Sequence, residues 1–156
     1  MNETDVNLPL WLAIVSLTQQ AMHDGLTGLY NRRFFEETLA DHIEAANRYG
    51  RELSLVLFDL DDFKQINDAD GYEAGDAALK QFAERLKTMA RSADIVCRYG
   101  GDEFAVLLPE TSEADTVHFV ERIAAQQKRP AVSAGIAALP SEHLLKDAEA
   151  HLRAKK

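Results

Sequence analysis

Arg98-Tyr99-Gly100-Gly101-Asp102-Glu103-Phe104 is the stretch from which the rest of the chain can be read. Two apolar, strand-like runs, Asp94–Arg98 and Phe104–Leu108, meet across the glycine pair. Two glycines between such runs predict a tight β-hairpin, because the primed turns that follow strand twist require positive φ. Two adjacent carboxylates, Asp102 and Glu103, come directly after the turn. Neighbouring strand side chains point to opposite faces, so one of the two looks into whatever the sheet covers. A turn built for structure alone has no need of two acids there.

Upstream, Leu53-Ser54-Leu55-Val56-Leu57-Phe58-Asp59 reads as a short buried strand that ends in the acidic loop Asp59-Leu60-Asp61-Asp62. If that strand lies beside the hairpin, Asp59 converges with Asp102 and Glu103 on one edge of the sheet. Hard oxygen donors in that pattern suit Mg²⁺, which takes one or two carboxylates and completes its shell with substrate phosphates. Two such ions can clamp an in-line phosphoryl displacement. Taken singly, each acid reads as a loop cap or a solvated charge.

The 156 residues make one domain with a sizeable core, and 46% hydrophobic with 28% charged residues is ordinary for a soluble globule. A net charge of −9 argues against a nucleic-acid polymer as partner, which calls for a basic face. A single nucleotide stays open, since a metal and a few local cations can meet its phosphates. The lone Cys97 falls in a predicted strand and reads as a buried, inert thiol, consistent with a reducing compartment. The most apolar run, Leu8–Leu17, is about ten residues, short of the roughly 18 of a membrane span. Glu3 and Asp5 precede it, where a secretory signal carries basic residues.

In chain order, Pro9–Met22 predicts a helix with Pro in its first turn, apolar nearly all round, that either packs on the domain or pairs with another chain. Asn31 caps a helix to Tyr49, with Gly50 as its stop. The Leu53–Asp59 strand follows, then an amphipathic helix over Asp76–Ala90 and the hairpin. A helix over Ser112–Gln127, a strand over Ala131–Leu139 and a last helix over Ser141–Lys155 complete the chain. Without the flanking helices the order is β-α-β-β-α-β. That is the α+β, ferredoxin-like arrangement, whose first strand pairs centrally with the hairpin.

Three linked stretches resemble the GGDEF domain of the diguanylate cyclase family. They are His23-Asp24-Gly25-Leu26-Thr27-Gly28-Leu29-Tyr30-Asn31-Arg32-Arg33, then Phe58-Asp59-Leu60-Asp61-Asp62-Phe63-Lys64-Gln65-Ile66-Asn67-Asp68, then Gly100–Phe104. The resemblance runs from about Ala21 to the C-terminus. It implies residues 1–22 as an N-terminal apolar helix or linker and residues 23–156 as the GGDEF domain. It also implies the palm fold of nucleotidyl cyclases and polymerases, and a cytoplasmic bacterial signalling enzyme. The implied reaction condenses two GTP into cyclic di-GMP and two pyrophosphates, with Mg²⁺ or Mn²⁺, between two antiparallel domains.

By the same resemblance, Asp59, the backbone carbonyl of Leu60 and Asp102 hold metal. Glu103 is a further metal ligand or the group that takes the proton of the attacking hydroxyl. Asn67 and Asp76 fall where the family contacts the guanine edge; an Asp accepting from N1–H and N2–H would favour GTP over ATP. Their plainer roles are an Asx turn and a helix N-cap. Lys64, Arg98 and Lys156 are the phosphate contacts, each otherwise a solvated cation. Arg91 and Asp94 fit the family's RxxD inhibitory site for cyclic di-GMP, against a plain helix-to-strand turn. His23-Asp24 is structural, and His42, His118, His143 and His151 show no zinc spacing.

The departures are a short stretch between Phe104 and Val132, and an imperfect closing motif, Ala148–Lys156, without the family's Gly-Arg-Asn. The shortened closing motif favours a rival reading, a non-catalytic module that binds GTP or cyclic di-GMP. The intact acids speak against it. A phosphoacceptor receiver using Asp59, Asp61 and Asp62 fails on element order.

Overall fold

Eight consecutive residues without polar alternation make a strand that must be covered on both faces. The computed structural model, which describes residues 4–156, puts that strand, β2 (Leu53–Leu60), inside a five-stranded sheet with all eight residues buried. Before it come α1 (Thr4–Met22), the two-residue β1 (Tyr30–Asn31) and α2 (Arg32–Tyr49). After it come α3 (Phe63–Asp70), α4 (Tyr72–Met89), β3 (Ile95–Arg98) and β4 (Glu103–Pro109). The chain ends with α5 (Glu113–Gln126), β5 (Val132–Ala138) and α6 (Leu144–Arg153).

The sheet order is β1-β3-β4-β2-β5. β2 is antiparallel to both β4 and β5, and its register sets Asp59 opposite Glu103. The four strands β3-β4-β2-β5 are the ferredoxin-like core, as the element order implied. β1 adds a parallel edge beside β3, so the sheet is mixed. Val56, Phe58 and Leu60 face α4 and α5, where Phe82 packs edge-to-face on Phe58 and Phe104 at 5.7 and 4.9 Å. Leu53, Leu55 and Leu57 face α2 and α6 through Phe35, Leu39, Ala148 and Leu152. Each fully buried valine, leucine or phenylalanine among them stabilises the fold by about 1.5–3 kcal/mol. Asp59 continues the Leu55–Leu57 side to the rim of the sheet.

The expected caps form. The Asn31 side chain accepts from Phe34 N, Gly50 closes α2 at φ 61°, and Ser112 accepts from Asp115 N to start α5. Three expectations are corrected. Neither Gly100 nor Gly101 has positive φ, so the hairpin is not a primed two-residue turn but a four-residue loop, Tyr99–Asp102. Asp76 is not a helix N-cap: α4 starts four residues earlier, after Gly71 (φ 86°), which separates it from an α3 that the apolar pattern did not announce. Pro9 lies inside α1 rather than in its first turn, where it removes one backbone donor without stopping the helix.

Of the two packings open to α1, the structure removes the intrachain one. Every residue from Asn7 to Ala21 is exposed, with Trp11 at 63% and Leu17 at 64%. Among the described residues, no helix is long and apolar enough to cross a membrane.

Candidate active site

The edge where β2 and β4 end gathers the acids. Asp59 closes β2 with its side chain only 6% exposed, paired to the ammonium of Lys156. Burial pushes its carboxyl above the ordinary range, and the charges of Asp102 and Asp61 add to the rise against the pull of Lys156. Glu103, exposed at the start of β4, is also raised, by partial loss of solvent first and then by the charges of Asp59 and Asp102. The backbone holds this crowding in place. Leu60 N donates to the Asp102 carbonyl at 3.1 Å, Asp61 N to Ala131 O at 2.8 Å, and Ser133 Oγ to Asp61 Oδ1 at 2.7 Å. A Cβ on Gly100 would lie 2.6 Å from Glu103 Oε2, so the first glycine makes room for the Glu103 carboxylate rather than supplying a left-handed turn.

Two cavities adjoin Asp59 at this edge of the sheet. The α3-side cavity, about 560 Å³, is walled by the Leu60–Lys64 loop, Asp102, Ser133 and the ammonium-bearing Lys155 and Lys156. The α2/α6-side cavity, about 290 Å³, is walled by Glu103, Arg32, Tyr99, Glu149 and Arg153. Asp59 and Lys156 line both, whereas Asp102 lines only the first and Glu103 only the second. The acid pair, Asp102 at the end of the hairpin loop and Glu103 at the start of β4, is thus divided between two chambers.

The structure sets the other expected residues around this edge unevenly. Lys64 lies in the first turn of α3 and lines the α3-side cavity. Asn67, one turn further on, crosses α4 so closely that a Cβ on Gly75 would sit 1.8 Å from its Oδ1; Asp76 is the next residue, exposed. Gly75 therefore seats Asn67 against the turn of α4 that carries Asp76. Arg98 is turned elsewhere: Nη1 lies 3.3 Å from both Asp24 oxygens, and Nη2 donates to Gly101 O at 2.9 Å. Its guanidinium ties the hairpin loop to the segment after α1.

Arg91 and Asp94 close on each other at 3.0 Å, and Arg91 also donates to Pro109 O and Thr111 Oγ1. His23 stacks on Tyr30 at 4.7 Å and Asp24 is bonded to Thr27, a structural cluster as expected. Burial raises the Cys97 thiol to about 12, which makes it inert.

Two side chains at the edge escaped the sequence reading. Lys155 precedes the expected Lys156 and shares its cavity. Arg32 stands inside the His23–Arg33 motif, yet only the fold carries it from the start of α2 to the cavity that Glu103 also lines; no local pattern gave that placement.

The matches to known proteins agree with this geometry. The model of the family described as diguanylate cyclase, GGDEF domain, matches residues 21–156. This chain is a GGDEF-domain protein. The GGDEF chain is 45% identical over 103 residues to the response regulator PleD of Caulobacter vibrioides, covering 66% of the chain and 23% of PleD. To the diguanylate cyclase TpbB of Pseudomonas aeruginosa it is 45% identical over 116 residues, 74% of the chain and 27% of TpbB. The chain thus spans about a quarter of the length of these relatives. The crystal structure of the coiled coil and GGDEF domain of DgcB from Caulobacter crescentus, in complex with c-di-GMP, superposes with a TM-score of 0.91 at 27% identity. The superposition covers 97% of this chain and 88% of that one.

Members of the family that make cyclic di-GMP depend on a divalent metal, and the donor set here fits one. All its side-chain donors are hard carboxylate oxygens, and a cation, the Lys156 ammonium, already sits on Asp59. Among the described residues no three His, Cys, Asp or Glu side chains converge as a ready-made cage.

Proposed function

We propose that this GGDEF domain is a diguanylate cyclase, joining two GTP into cyclic di-GMP with release of two pyrophosphates. The observation that carries the reading is the sheet edge at which buried Asp59 lies in register with Glu103 and within reach of the Asp102 charge. A module that only binds nucleotide gains nothing from that arrangement. Mg²⁺ or Mn²⁺, held by Asp59, the Leu60 carbonyl, Asp102 and Glu103, would neutralise these charges and the substrate's, and lower the pKa of the attacking hydroxyl.

The chain's own groups do the rest. Asn67 and Asp76 bind the guanine edge, whose N–H donors an adenine lacks. Lys64, Lys155 and Lys156 hold the triphosphate over the Leu60–Lys64 backbone. Glu103 takes the proton of the attacking 3′-hydroxyl. Arg98, expected on phosphate, is assigned instead to holding the hairpin loop through Gly101. Arg91 and Asp94 are the product's inhibitory site, which opens when their mutual pair is exchanged for cyclic di-GMP. Residues 1–22 are the linker helix and 23–156 the catalytic unit. One domain carries one GTP, so two must meet, and the exposed α1 is the element through which they pair. The reaction is placed in the cytoplasm, where GTP is available.

Incubation of the protein with GTP and Mg²⁺ over a range of protein concentrations, with cyclic di-GMP measured by chromatography, tests this. The rate is expected to rise more steeply than linearly with protein concentration. Absence of product with nucleotide still bound would make the chain a binding module.

A further inference from the structure

We propose that Lys156 is a built-in competitor of the metal. In the nucleotide-free domain its ammonium holds the Asp59 carboxylate, which a divalent cation must take, and the metal seat opens only when a triphosphate draws the lysine away. The inference rests on the reading of Asp59 as a metal ligand and adds a rival for that carboxylate.

The lysine is delivered to Asp59 by the way α6 docks on β5. A Cβ on Gly135 would lie 2.2 Å from Ala148 O and 2.5 Å from Leu152 N, so only a bare backbone lets the helix come this close to the strand. His151 Nδ1, 3.0 Å from both Ile136 N and Ile136 O, ties the same turn to β5. β5 is in register with β2, Gly135 opposite Leu57 and Ser133 opposite Asp59. Lys156 follows the buried Leu152 by one helical turn. The chain stays wound to that point, with Ala154 N donating to Ala150 O and Lys155 N to Leu152 O, both at 3.1 Å.

The resulting pair is uneven. The Asp59 side chain is 6% exposed and that of Lys156 50%, so the carboxylate gains a partner while the lysine loses little by leaving. The ammonium donates to Asp59 Oδ2. A metal arriving at that carboxylate meets an occupied oxygen and a positive charge beside it. Its apparent affinity falls by the fraction of time the carboxylate is free, about a tenth to a third for a half-exposed pair. Lys155 is the contrast: it lines the same α3-side cavity, is exposed, and makes no ion pair among the described residues. A triphosphate carries more charge than one carboxylate and is the stronger partner for a half-exposed ammonium. The triphosphate contact assigned to Lys156 therefore frees Asp59 as it forms.

The full chain is titrated with Mn²⁺ in the absence of nucleotide, with bound ion read from the loss of the free-ion electron-spin resonance signal. Wild type is compared with Lys156→Met, Lys155→Met, Asp59→Asn and the Asp59→Asn/Lys156→Met double variant. Lys156→Met is expected to bind Mn²⁺ about three- to tenfold more tightly than wild type, and Lys155→Met within about twofold of it. In the Asp59→Asn background the loss of Lys156 gains nothing, as competition at that carboxylate requires. In metal-free buffer, the ¹³Cε resonance of Lys156, assigned by its absence from Lys156→Met, shifts on addition of 3′-deoxy-GTP. Unchanged or weaker Mn²⁺ binding by Lys156→Met would overturn the proposal, as would a Lys156 resonance that saturating nucleotide does not move. An equal gain in Lys155→Met, or a gain that survives Asp59→Asn, would reduce the effect to a general positive field and overturn it too. Mn²⁺ binding that Asp59→Asn leaves untouched defeats the reading of the metal site itself. Binding that depends on Asp59 but not on Lys156 defeats this inference alone.

Discussion

Asp24 and Asp59 are both partly or wholly buried carboxylates facing one cation each, yet the fold treats them in opposite ways. Burial pushes Asp24 up, but bonds from Thr27 N at 2.9 Å and Thr27 Oγ1 at 2.8 Å, with Arg98 beside it, reverse the effect and leave its carboxyl below the ordinary value. Burial also pushes Asp59 up, and there Lys156 does not outweigh the desolvation and the charges of Asp102 and Asp61. Asp24 is an acid the structure satisfies. Asp59 is an acid the structure leaves in want of positive charge. Unsatisfied charge held on a rigid sheet edge is what a site keeps for a ligand; satisfied charge at a helix-to-sheet junction is what a fold keeps for itself.

The largest expected effect falls on the unsatisfied side. Asp102→Asn keeps the shape of the hairpin and removes one charge, and initial rates of cyclic di-GMP formation should drop by about 100-fold or more. A variant with near-normal rates would mean that Asp102 is not part of the metal site. The satisfied side answers in stability. Asp24→Asn weakens the Thr27 bonds and leaves the largely buried Arg98 unpaired, a loss of about 2 kcal/mol. Thermal melting should then fall by about 4–8 °C for a chain of this size. A melting temperature unmoved by Asp24→Asn would erase the contrast between the two acids.

How much of this could be read from residues alone depends on the range over which each effect acts. The strand Leu53–Leu60 and the β4 partner were legible because burial on both faces forces an unbroken apolar run. Asn31, Gly50 and Ser112 were legible because a cap is decided within four residues. The Gly100-Gly101 pair was read correctly as a loop and for the wrong reason. Gly100 lies against the Glu103 carboxylate three residues away, which no turn propensity encodes, and Gly101 has open space around it. α3 was missed because Phe63–Asp70 is short and polar, and its place is fixed by α4 through the contact of Asn67 with Gly75. The three acids were visible as residues, but their division between two cavities needed the register of Asp59 with Glu103. Arg32 needed more still, since its position over Tyr99 depends on how α2 crosses the sheet.

The smallest effect is the most discriminating, because its sign differs between the two acids. Asp59 and Glu103 have native pKa values raised above their ordinary 3.8 and 4.5. The native state therefore holds protons that the unfolded chain has released, and stability falls as pH rises through the native values. Removing the Asp102 charge relieves part of that loss. In metal-free protein, Asp102→Asn should thus melt about 1–2 °C above wild type at neutral pH, from about 0.5 kcal/mol, and the gain should vanish once the acids are protonated. Asp24 has a native pKa lowered below 3.8, so its stabilisation is present above that value and is lost as pH falls through the native one. The deficit of Asp24→Asn should accordingly be greatest at neutral pH and close only at the acid end. Melting curves of both variants against wild type across the acid range give two differences of opposite sign that converge on zero. If the Asp102→Asn difference is negative or does not depend on pH, the Asp102 charge adds nothing to the rise that burial gives Asp59 and Glu103, and the reading of that edge as a waiting metal site loses its physical basis.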